Sequence, residues 1–163
     1  MPNASSLPDS VRAALPDSDR RAPVEALESG GWAIAGRHAL IVADESGPVD
    51  SGMWYEIARA SWSGRDRALV VEWMDPARPQ LRVVTDSTDP RAFMRRVSDR
   101  VDHSIVRHLS MRASNGTRVT AWIRRREDDR LFSVLTALGP LDEPSRREAE
   151  RFERAMREGV GLE

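Results

Sequence analysis

The sequence predicts an α+β protein with the order four strands, helix, three strands, helix, folded as one domain after an N-terminal arm. Three observations carry this reading. Apolar residues alternate with period two through much of 54–85 and again through 107–138. Between and after those tracts the apolar spacing switches to about four. Short clusters of Gly, Pro, Asp and Asn separate the runs, as turns do. A chain of 163 residues with 40% hydrophobics is long enough for a core burying roughly 70% of its unfolded surface.

Residues 1–29 are rich in Pro, Ser, Asp and Ala. Pro8–Leu15 has the makings of one short helix, with Val11 and Leu15 spaced i,i+4, and another turn or two is expected around Ala22–Leu27. The arm is read as partly ordered against the domain, with full disorder as the alternative. Trp32–Ala43 is nearly continuous apolar sequence broken at Gly36-Arg37-His38, hence two short strands. Asp44–Gly52 carries two Gly, a Pro and three acids and reads as a loop. Met53–Trp62 is a strand in which Ile57 falls out of phase, the mark of a bulge. Ser63–Asp66 is a turn, Leu69, Val71 and Trp73 alternate in the next strand, and Leu81–Thr85 is the fourth.

Asp89 or Thr88 then caps a helix with Pro90 at its first position, and Phe93, Val97, Val101 and Ile105 form its apolar stripe. Strands follow at about 107–113, 117–126 and 131–138. Asn115-Gly116 predicts a two-residue type I′ hairpin turn between the first two, because both residue types tolerate positive φ. Glu127-Asp128-Asp129 makes the next turn. A second helix runs over 143–158, with Asp142 as N-cap and Ala149, Phe152 and Met156 as its buried stripe.

Several segments together carry a resemblance: Gly30-Gly31-Trp32-Ala33-Ile34-Ala35 leading into Ala39–Val42, Trp54–Ile57 followed by Ala60-Ser61-Trp62, and Arg96–Asp102 with Ser104, Ile105 and Val106. Over roughly 28–138 the chain resembles a group of small, uncharacterised actinobacterial proteins with a PH-like barrel. The resemblance implies an antiparallel PH-like barrel or sandwich of about seven strands, with one helix between strands four and five and one at the C-terminus. The chain is thus divided into an arm (1–29) and a single PH-like domain (30–163). The resemblance implies no activity. The Lys/Arg pattern of a phosphoinositide loop is missing, so lipid binding does not follow.

Composition excludes several chemistries. There is no cysteine, so disulfide scaffolds, thiolate metal sites and cysteine nucleophiles are out. The three histidines (His38, His103, His108) have no HExxH-type spacing, and no phosphate-binding or nucleophile-elbow motif occurs. Asp99, His103 and Ser104 tempt toward a triad, but adjacent helical residues point about 100° apart and a triad must converge. The reading is therefore not an enzyme, with no cofactor and no metal. The first residues show no basic and apolar leader pattern and no run approaches bilayer length, so a cytoplasmic location is expected. The sequons at Asn3 and Asn115 then carry no meaning.

Charge distribution is more telling than its total. All 25 basic residues are arginine, against 26 acids. Residues 91–130 hold eleven arginines and five acids, while the flanking segments are each net negative. Within that middle, Val119, Ala121 and Ile123 should face inward from the strand 117–126. The opposite face presents Arg118, Thr120, Trp122, Arg124 and Arg126. Arg118, Trp122, Arg124 and Arg126 are the candidate binding residues: guanidiniums grip carboxylate or phosphate, and Trp and Arg dominate interaction hot spots. The expected function is a protein-interaction or scaffold module with an unidentified protein partner. The alternative is a nucleic-acid-associated factor using the same arginines with Trp122 as a stacking plane. A covered Trp122, stacked under an arginine, is the structural alternative to both.

Overall fold

The computed structural model describes residues 6–163, so the Asn3 sequon and the leader region through residue 5 lie outside the described residues. The described chain is α+β, with ten strands in three antiparallel sheets and three α-helices. It divides into two compact units, through Val101 and from Asp102. The strands number ten rather than seven and close no barrel. The long middle helix follows the seventh strand, not the fourth.

In the first unit, helix α1 (Asp9–Ala14) lies in the arm, where Pro8 precedes it and Val11 is buried. Leu7, Val11 and Leu15 cluster with Ile34, Ile41 and Ala43, so the arm from Leu7 onward is packed against the sheet. That sheet runs in the order β1 (Val24–Ala26), β2 (Trp32–Ala35), β3 (Ala39–Asp44), β4 (Gly47–Met53). Two of these strands correct the sequence reading. Residues 24–26, expected to be helical, are extended because Val24, Glu25 and Ala26 pair with Ile34, Ala33 and Trp32. Residues 47–52, expected to be loop, form β4 together with Met53 because β3 offers a ladder, although only the strand's ends turn inward. Neither strand carries an apolar alternation of its own. Asp19, buried at the edge of this sheet, accepts a 2.8 Å hydrogen bond from the Arg37 N–H and thereby holds the β2–β3 turn.

A single 3-10 turn at Trp54–Glu56 leads into the second sheet, β5 (Ile57–Ser63), β6 (Ala68–Trp73), β7 (Leu81–Val84). The expected irregularity at Ile57 is present as a register shift between Ile57 and Arg59. Leu69, Val71 and Trp73 are buried, as their alternation requires. Where the two sheets meet, Leu27 bridges Thr85, the Glu28 N–H donates to the Val84 carbonyl, and the Asp86 N–H donates to that of Ala26. Trp73 is clamped at the other corner. Its Nε1 donates to the Pro79 carbonyl at 3.0 Å, the Arg78 guanidinium lies 3.5 Å from its ring centroid, and Gly52 leaves room for its six-membered ring. Arg78 is itself anchored to Asp50 and to the Ser51 carbonyl.

Glu25 is the misfit of this unit. It is 8% exposed on β1, and its Oε2 has no hydrogen-bond partner. Burial, and then the nearby charge of Asp89, raise its pKa above the ordinary 4.5. The folded state therefore holds this proton more tightly than the unfolded chain does. Its contribution is fully present at low pH and is lost as pH rises through the raised folded value. Glu25→Gln is accordingly expected to raise the melting temperature at neutral pH and to leave it unchanged below the carboxylate range. Equal gains at both pH values in a melting series would contradict this account.

Helix α2 (Arg91–Ser104) opens at Asp89-Pro90, with the Met94 N–H reaching the Pro90 carbonyl, and buries Phe93, Val97 and Val101 as its spacing predicts. Ile105, expected to be the fourth residue of that stripe, instead lies past the helix end and is half-buried as the first residue of the next strand. The second unit contains the third sheet, in the order β10 (Leu131–Ala137), β9 (Arg118–Arg125), β8 (Ile105–Arg112). Helix α3 (Glu143–Glu158) covers one face of it. Ala149 packs with Ala113 and Val119, and Met156 packs with Ala121 and Ile123. Asp142 caps α3 as expected, accepting the Ser145 N–H at 2.9 Å.

Candidate binding surface

One face of β9 is closed by α3, and period-two geometry sends the intervening side chains to the other face. Val119, Ala121 and Ile123 are buried beneath α3. Arg118 and Arg126 are exposed, while Thr120 and Trp122 are half-buried. Arg124 breaks the expected pattern. It is 0% exposed, with its Nη2 donating to the Ser104 hydroxyl at 2.7 Å, and burial lowers its pKa to about 10. It is therefore a structural arginine and no part of an accessible face. A register shift between Ile105 and Arg107 on β8 sets the neighbouring strand against it, at the point where Ser104 ends α2.

Trp122 is engaged by its neighbours. His108 on β8 stacks on the indole with centroids 4.9 Å apart and planes 26° off parallel. Nε1 donates to Thr136 Oγ1 on β10 at 3.0 Å, and the Arg124 guanidinium carbon lies 5.7 Å from the ring centroid. Beside this row Ser110 and Thr120 share a 2.7 Å hydrogen bond, and Arg126 lies over the Phe132 ring at 5.0 Å. The face is thus a cross-strand row, His108–Trp122–Thr136, with accessible cations at either end. Of the four residues read from the sequence, the structure leaves Arg118 and Arg126 accessible, Trp122 partly so, and Arg124 inside.

His108 was missed by sequence reasoning, and the reason lies in the turn. Asn115-Gly116 is not a two-residue type I′ loop. The Gly116 N–H bonds to the Ala113 carbonyl and the Ala113 N–H to the Thr117 carbonyl, which closes a three-residue loop, Ser114-Asn115-Gly116. Gly116 has φ +89, whereas Asn115 is not among the residues with positive φ. A two-residue loop would have set His108 opposite Ile123. The three-residue loop sets it opposite Trp122.

The triad candidates diverge: Ser104 is buried on Arg124, while His103 is exposed, 4.0 Å from Asp129. Among the described residues no group of three His, Asp or Glu side chains is arranged to hold a metal ion. In the first unit, an open cleft of about 650 Å³ is lined by Gly30, Gly31, Trp32, Asp44, Glu45 and Asp86. Asp44 there is occupied by its own turn, accepting from the Ser46 N–H and hydroxyl, and those bonds hold its carboxyl below the usual range. No described helix is long and apolar enough to cross a membrane. No protein-family model matches the chain, and no curated protein is significantly similar to it.

Proposed function

We propose that this chain is a non-enzymatic interaction module that recognises an acidic protein partner through the β8–β9 hairpin. One observation carries the reading: the run from Ile105 to Arg126 contains no acid, and Arg112, Arg118 and Arg126 from it lie exposed on the face of the sheet that α3 leaves open. Arg107 is exposed as well, but it pairs with Ile123 on the α3 side of the sheet. A field of one sign over accessible guanidiniums selects anionic partners and steers their approach. The nucleic-acid reading draws on the same arginines, but the indole on which a base would stack is half-buried and already carries His108 on one face.

The PH-like relationship is also a proposal, in a revised position. Sheets of four and three antiparallel strands followed by a helix run from β1 to the end of α2, and that order favours placing the PH-like module at residues 24–104. The β8–β10 sheet and α3 would then be an addition that carries the binding surface.

The test is affinity capture from native lysate, with and without nuclease, comparing wild type with an Arg118→Ser/Arg126→Ser variant. Both positions are exposed, so stability should stay within about 0.5 kcal/mol. A nuclease-resistant protein partner lost in the variant is the expected result. Material lost on nuclease treatment would replace this reading with the nucleic-acid one, and identical recovery by both proteins would remove the arginine face from it.

A further inference from the structure

We infer that the open edge of β8 is the docking line for an extended acidic peptide segment, which adds to the β10-β9-β8 sheet as a fourth strand. This deepens the interaction reading above and rests on it. Strand β8 has β9 on one side and no strand on the other. Six of its eight residues are exposed, namely Val106, Arg107, His108, Leu109, Ser110 and Arg112. Such an edge offers a ready template for another strand.

The hydrogen-bond phase shows which backbone groups are available. The Ala113 N–H donates to Thr117, so 113–117 is a hydrogen-bonded pair. Antiparallel ladders alternate, so Met111, Leu109 and Arg107 direct their N–H and C=O groups at β9. Arg112, Ser110 and His108 direct theirs to the open side. The close approach of His108 to Trp122 and of Ser110 to Thr120 agrees with this phase, because side chains sit nearest in non-hydrogen-bonded pairs.

Charge decides the occupant. Proteins commonly guard an edge with charge, which repels a second copy and discriminates among strangers. Here the guard is of one sign throughout: an identical β8 would bring a second acid-free hairpin with its own six arginines alongside the first. A strand carrying glutamate or aspartate on one face meets His108 and Arg112 favourably, while the residues of its other face meet Leu109, 44% exposed. Main-chain bonds would supply affinity and the arginines would supply selection, as in other strand-addition complexes.

The test uses a fluorescein-labelled peptide of Glu-Val-Glu-Thr repeats in an anisotropy titration against the full chain. Wild type is expected to bind it in a salt-sensitive manner. Ser110→Pro removes an N–H that points away from β9, so the β9 ladder survives and binding falls at least tenfold, whereas Ser110→Ala binds like wild type. The same peptide N-methylated at alternate residues should fail to bind wild type, a result that does not depend on the proline variant folding. Equal binding of the methylated peptide, or equal binding by a folded Ser110→Pro protein, would overturn the strand-addition inference. If binding survives both changes yet is lost in Arg118→Ser/Arg126→Ser, the arginine face stands and the edge does not. If only a single-stranded oligonucleotide binds, the inference and the protein-partner reading fall together.

Discussion

Trp73→Ala is expected to remove about 3–5 kcal/mol of stability, a large share of the 5–15 typical of a folded domain. The ring is 8% exposed, and its loss opens a void at the corner where β4 and β6 approach, forfeits the Nε1 bond to Pro79, and strips Arg78 of its cation–π partner. Gly52 supplies the complementary experiment. A Cβ built there falls 2.2 Å from Trp73 Cζ3 and 2.6 Å from Cη2, so Gly52→Ala must displace the indole and is expected to cost about 1–3 kcal/mol. Combined with Trp73→Ala, the added methyl enters space the ring has vacated, and its separate cost should disappear. Urea denaturation of the two single variants and the double variant measures that coupling. Additive losses would mean that Gly52 is needed for something other than its closeness to Trp73.

Arg124→Ala is expected to destabilise the chain by about 2–4 kcal/mol, while Arg124→Met stays within about 1 kcal/mol of wild type or exceeds it. Arg124 is the largest fully buried side chain, so truncation leaves a cavity and deprives the Ser104 hydroxyl of its donor. Methionine restores the volume and carries no charge to desolvate. The pH dependence follows from the same burial. The folded pKa is about 10, well below the ordinary arginine value, so the unfolded chain binds this proton more tightly, and stability from this group rises as pH climbs from about 10. Below that range the penalty is constant, and methionine removes it. Equal losses for alanine and methionine in denaturant titrations would show that the charge itself is required. An alanine substitution at Arg124 is therefore a test of folding, and a binding experiment on this face belongs at Arg118 and Arg126.

Much of the architecture was legible wherever a segment carries its own pattern. Phe93, Val97 and Val101 recur every four residues and are all buried, and Asp142 caps α3 as its position before Glu143-Pro144 implies. Val119, Ala121 and Ile123 alternate inward, as do Leu69, Val71 and Trp73. Strands β1 and β4 were not legible, because pairing partners rather than their own side chains make them extended. The candidate face was half legible. Alternation placed Arg118, Trp122, Arg124 and Arg126 on one side of β9, but alternation carries no information on depth. Arg124 lies beside the end of α2, and the strand Thr117–Arg126 contains no trace of that neighbour.

What the amino-acid sequence determines by itself here is the helix–strand order of the strongly periodic segments, the inward face of β9, and a cationic, acid-free run from Ile105 to Arg126. These follow from spacing and composition, which are properties of neighbours in the chain. Only the tertiary structure decides the β8 register, and with it which residue meets Trp122 and which N–H groups reach the open edge. The Ser114 N–H bonds to Glu148 Oε2, the Asn115 N–H to Ser145 Oγ, and the Asn115 side chain to the Pro140 carbonyl. Helix α3 and the segment leading into it thus hold the loop in its three-residue form. Locally, Asn-Gly favours the two-residue turn. Hydrogen bonds to residues some 30 positions away outweigh that preference, and the one-residue difference turns every side chain of β8 to the opposite face.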